Sequence, residues 1–90
     1  VTGPASPLAR LAALGFPETA RLLESGRADA GTLAYCALNR MEARDRTMLP
    51  GSVPVIRARY AVARRLVRLA LAEAAGPAIV NPTDEMMQVN

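Results

Sequence analysis

The sequence predicts an all-α domain, a compact bundle of about four helices with a long C-terminal amphipathic helix. Three observations carry this. At 3.6 residues per turn, residues 54–75 sort into an apolar side and a cationic side. No run of useful length alternates apolar and polar residues as a half-buried strand would. Glycine, proline and serine cut the remainder into helix-length pieces. A chain of 90 residues leaves no room for a second core. The limits read as an N-terminal segment at 1–7, a helical domain at 8–76 and a tail at 77–90.

The first seven residues, rich in Gly, Pro and Ser, are expected to be flexible. Ser6-Pro7 then opens a helix, with Ser as N-cap and Pro where its missing N–H costs nothing. This helix carries Leu8, Leu11, Ala12 and Leu14 and stops at Gly15. A second opens at Phe16-Pro17-Glu18, carries Ala20, Leu22 and Leu23, and ends at Gly26. At ~10 residues neither would persist alone in water, so tertiary packing must hold both.

Asp29 is the expected N-cap of a third helix that runs to about Arg46. Its apolar face comprises Leu33, Ala34, Ala37, Leu38, Met41 and Met48. Its outer face carries Tyr35, Asn39, Glu42 and Arg46, with Glu42 and Arg46 at the i, i+4 spacing of an ion pair. Asp45 falls close to the apolar face, as a candidate partner for an inward arginine. Two prolines and a glycine within 48–54 make the main break, and Ser52 is placed to cap the final helix. On that helix Ile56, Tyr60, Val62, Ala63, Leu66, Val67, Leu69 and Ala70 form the apolar side. Arg57, Arg64 and Arg68 stack on the other, beside Arg65, and both Arg64 and Arg68 are expected to be exposed. Arg59 points into the apolar sector. Gly76-Pro77 reads as the stop.

Composition narrows the function classes. Hydrophobic residues form 51% of the chain, which excludes a disordered one, yet only 3% is aromatic. The core must be built from Leu, Val and Ala, whose small side chains bury little area each. A tight bundle or an oligomer satisfies that. The apolar side of the final helix also outruns what two short helices could cover, so a second copy or another chain is expected on the remainder. No stretch approaches the ~20 apolar residues of a membrane span. The start has no signal-peptide pattern, and a cytoplasmic location is expected.

The catalytic inventory is thin. There is no histidine, no Gly-rich phosphate loop and no HExxH; no catalytic residue, cofactor or metal site is assigned. The single Cys36 excludes an internal disulfide and is expected to be a buried thiol. Glu18, Glu24, Glu42 and Glu73 lie on separate helices. Arg59 is either structural, pairing with Asp45, Asp29 or Glu73 or reaching water over its own stem, or the centre of an anion or ligand site. An enzyme is the less favoured class.

All eleven basic residues are arginine, and the net charge is +3. The Arg57, Arg64, Arg65 and Arg68 face has three readings: solvated, bound to an acidic protein surface, or bound to phosphates. The final helix is too apolar for a recognition helix and the aromatic platform of a single-strand binder is missing, which disfavours nucleic acid. Met86 and Met87 sit in an unpatterned tail that reads as a frayed end or, functionally, as a docking segment.

Leu11-Ala12-Ala13-Leu14-Gly15-Phe16, Thr19-Ala20-Arg21-Leu22-Leu23 and Asp29-Ala30-Gly31-Thr32-Leu33, followed by a long helix, look faintly like a sterile alpha motif domain over residues 8–72. Those domains self-associate or bind partners. The family's usual large aromatics are absent, and residues 40–54 are too long and charged to align, so membership does not follow. The expected function is a small protein–protein interaction module, working through apolar helix faces with an arginine rim. The alternatives are a small helical enzyme or ligand-binding protein centred on Arg59, or a nucleic-acid-binding accessory protein.

Overall fold

A computed structural model of the chain describes residues 6–75. They form α1 (Pro7–Ala13), α2 (Pro17–Glu24), α3 (Ala30–Met48), a 3-10 turn (Pro50–Ser52) and α4 (Val53–Ala75). No strand occurs among the described residues. The all-α bundle with a long final helix is what the sequence predicts. The Gly76-Pro77 stop, Met86 and Met87 lie outside the described residues.

The helix ends obey local chemistry. The Ser6 hydroxyl accepts the Ala9 amide at 3.1 Å, with Pro7 in the first turn. Beyond α1, Gly15 adopts φ +112° and its amide donates to Ala12 O, while the Phe16 amide reaches Leu11 O. That pair of bonds is a Schellman closure, with Phe16 and Leu11 supplying its accompanying apolar pair in the core. Gly26 follows α2 at φ +75°, where the Arg27 amide donates to the Ser25 hydroxyl at 3.3 Å instead of closing the same backbone pair. Asp29 departs from expectation: it holds the N-cap position of α3 but makes no side-chain cap bond. Its backbone (φ −96°, ψ 8°) lacks the extended geometry that aims a cap, and its carboxylate takes Arg27 at 3.0 Å instead. Ser52 lies within the 3-10 turn, its amide donating to Leu49 O at 2.9 Å.

The core comprises Leu11, Phe16, Ala20, Ala34, Leu38, Ile56, Tyr60, Ala63, Leu66 and Val67. α4 packs chiefly on α3 and α1, and α2 bridges those two. Ala34 and Ala63, both wholly buried, permit close approach of α3 and α4. Gly31 serves the same end, because a Cβ there would lie 2.9 Å from the Leu71 side chain.

Several expected faces are corrected. The covered stripe of α3 is Ala30, Ala34, Leu38 and Glu42, rotated from the predicted one. Glu42 is therefore buried and Tyr35 half-buried, against the outer face expected for both. Leu33 and Met48 are exposed, against the apolar face expected for them. Cys36 sits two residues past Ala34, on the far side of the helix, and is exposed, not buried. On α4, Val62 and Leu69 are also exposed, because α1 and α3 cover only part of the apolar sector.

Leu66 and Leu38 are core residues, so truncating either to Ala should cost about 2–5 kcal/mol in urea unfolding. Arg68→Ala should change stability by no more than about 0.5 kcal/mol, as at an exposed site. A larger loss from Arg68→Ala than from Leu66→Ala would refute this orientation of α4.

Candidate functional site

Three groupings of side chains stand out: the Arg59 cluster, the Glu42 pair and the outer face of α4. Arg59 leaves α4 on the side facing α1. Its Nε and Nη2 donate to Leu14 O at 3.3 and 3.2 Å. Its guanidinium carbon lies 4.5 Å from the centroid of Phe16 and 5.6 Å from that of Tyr60, whose rings pack 5.1 Å apart. Nη1 is 4.0 Å from Asp45, the partner that the sequence suggests. The Tyr60 hydroxyl donates to the same carboxylate at 2.6 Å. Arg59 is thus engaged at a helix end, with its side chain 39% exposed.

Burial pushes the Tyr60 phenol up to about 12, helped by its bond to Asp45 and by the charge of that carboxylate. At neutral pH the hydroxyl is a fixed donor, not a base.

Glu42 is 8% exposed, and a buried carboxylate requires partners. Arg64 supplies one at 2.8 Å, also reaching Asn39 at 3.3 Å, and Arg46 approaches to 3.9 Å. Arg64 is consequently half-buried and turned inward, not exposed as the helical wheel suggests. Sequence alone carries one usable signal for this: Arg64 lies one turn beyond Tyr60, at the border of the apolar side.

What remains outward is a mixed face. Arg57, Arg65 and Arg68 are exposed and make no ion pair among the described residues. Beside them Val55, Val62 and Leu69, 70%, 39% and 42% exposed, recur every seven residues and so run nearly in line along α4. Ala58 and Ala72 are exposed between and beyond them. Met48 and Leu49 add exposed apolar surface where α3 turns into α4. Sequence reasoning places Val62 and Leu69 on the apolar side and expects part of that side to stay uncovered, but it does not say which edge.

A cleft of about 370 Å³ opens between the start of α2 and α3, lined by Phe16, Pro17, Glu18, Thr19, Ala37 and Met41 with Gly15. Its one ionisable lining residue is Glu18, so it holds no acid–base pair and no arginine. Among the described residues, no three His, Cys, Asp or Glu side chains group as a metal site, and no helix is long and apolar enough to cross a membrane.

In comparisons with known proteins, no family model, no curated protein and no solved structure matches the chain.

These pairs have two measurable outcomes. Arg64→Ala strips Glu42 of its close partner and should cost about 1.5–3 kcal/mol in chemical denaturation. A double-mutant cycle with Glu42→Ala should recover part of that loss as coupling. For Tyr60, the folded-state proton is held to about 12 against 10.0 ordinarily. Its contribution is therefore complete below pH 10 and is lost as pH rises toward 12. The melting temperature of the native chain should fall more steeply across that window than that of Tyr60→Phe.

Proposed function

We propose that this chain is a small helical protein–protein interaction module, an accessory chain or subunit that presents the outer face of α4 to a protein partner. The observation that carries the reading is the line of Val55, Val62 and Leu69 left in water on a helix whose other side is fully packed. Taking a side chain of this size from full exposure to full burial is worth about 1.5–3 kcal/mol, and a partner gains the share still exposed, most of it at Val55 and about two fifths at Val62 and Leu69. Arg57 and Arg68 run along one flank of the stripe and Arg65 falls between Val62 and Leu69, and arginine in such places supplies orientation and selectivity.

The enzyme and ligand-binding alternative has less support. Two of the donors of Arg59 are bonded to Leu14 O, and the cleft beside α2 lacks a second titratable group. The nucleic-acid alternative needs four outward arginines on α4 and has three, since Arg64 is paired with Glu42. A reducing compartment such as the cytoplasm suits the exposed, unpaired thiol of Cys36.

Val62→Glu combined with Leu69→Glu tests the reading. Both sites are exposed and glutamate is a good helix former, so the double variant should keep the helical circular dichroism of the native chain. Sedimentation of the purified chain, and crosslinking in native lysate, should reveal an assembly that the double variant fails to form. A native chain that sediments as a monomer and crosslinks to nothing would defeat the proposal.

A further inference from the structure

Resting on the interaction reading, we infer that the occupant of the α4 face is an acidic amphipathic helix from a different chain, not a second copy of this one. The spacing defines the kind of surface. Val55, Ala58, Val62, Arg65, Leu69 and Ala72 alternate steps of three and four residues, the rhythm of a coiled-coil seam. All six are exposed. The line runs for roughly 26 Å at 1.5 Å per residue, long enough to engage about five turns of a partner helix. Ala58 and Ala72 leave shallow positions into which large apolar side chains of that partner fit.

Charge then selects the partner. Arg65 lies within the seam, so any helix lying there covers it. A covered guanidinium is costly without a carboxylate opposite. Arg57 and Arg68 run along one flank, likewise without an ion pair among the described residues. The other two α4 arginines, Arg59 and Arg64, are engaged inward with Leu14 O and Glu42. The only carboxylate on α4 is Glu73.

A second copy meets this requirement badly. A parallel pair sets Arg65 against Arg65. An antiparallel pair centred on Val62 matches Val55 with Leu69 but leaves Arg65 with no carboxylate opposite, since position 59 is an arginine held inward on Leu14 O. Bringing Glu73 opposite Arg65 moves the two-fold axis to Leu69, and Val55 and Val62 then face positions beyond Ala75, past the described part of α4. No two-fold register both neutralises Arg65 and buries all three large apolar side chains within α4. A foreign helix with glutamates flanking a leucine seam does both.

Three labelled peptides of about three heptads each test this against the full 90-residue chain by fluorescence anisotropy. One carries Leu in the seam and Glu at the flanks, one replaces Glu by Lys, and one scrambles the first. The acidic seam peptide should bind about tenfold or more tightly than either of the others, and less tightly in high salt. Arg65→Glu, with its helical dichroism intact, should lose that preference and favour the Lys peptide. Val62→Ala with Leu69→Ala should weaken binding of the acidic peptide.

Equal binding of the acidic and basic seam peptides overturns the inference, as does a scrambled acidic peptide that binds as well. So does duplex or single-stranded DNA that outcompetes the acidic peptide. A self-associated native chain that Val62→Glu dissociates would overturn the acidic-partner inference while leaving the interaction reading intact. A monomer that binds no peptide and crosslinks to nothing would remove both.

Discussion

The bond from Arg59 to the carbonyl of Leu14 is the contact around which the domain closes. The Schellman closure uses the carbonyls of Leu11 and Ala12, and Arg59 satisfies that of Leu14. Gly15 makes this feasible in two ways. Its φ of +112° suits glycine, and a Cβ there would collide with Arg59 Nη2. The planar guanidinium can donate along its edge while its face lies against Phe16, which an ammonium cannot do. Asp45, on α3, accepts the Tyr60 hydroxyl and faces Arg59. One patch therefore ties the α1–α2 turn, α3 and α4 together.

Much of the element layout was legible because it is written in local chemistry. Ser6 as a cap, Gly15 and Gly26 as helix ends, and the break before α4 each depend on neighbours within a few residues. Asp45 was legible as a partner for Arg59 because both stood on apolar faces, where a charge needs a counterpart. Glu42 was not legible, because its burial depends on Arg64, which lies 22 residues away. That pair rotates the covered stripe of α3 toward a carboxylate, against the grain of its hydropathy. The exposure of Val62 and Leu69 was hidden for a related reason. A surplus of apolar surface on the last helix could be anticipated from its length, but which edge is left over depends on where α1 and α3 lie. A helical wheel contains no neighbours.

The five arginines of α4 show how little composition says about role. Arg59 closes a helix end, Arg64 neutralises a buried acid, and Arg57, Arg65 and Arg68 face water. On the wheel, Arg57, Arg64 and Arg68 are near equivalents. Their fates diverge because only Arg64 meets a carboxylate on α3. The exposed cationic face is thus smaller than the sequence suggests, and it is flanked by valine and leucine instead of a continuous row of charge.

Half of the ten core residues, Ile56, Tyr60, Ala63, Leu66 and Val67, belong to α4. This has a consequence in time. A ribosome makes α1, α2 and α3 before it makes the residues that cover Leu11, Phe16 and Leu38. At about 5–20 residues per second, residues 53–67 take roughly one to three seconds to add. Until α4 is in place, Leu11, Phe16 and Leu38 lack half of the core that covers them, and α1 and α2 are too short to hold themselves. Folding must wait for the last helix. Before α4 packs, those side chains are open to capture by other exposed apolar surfaces.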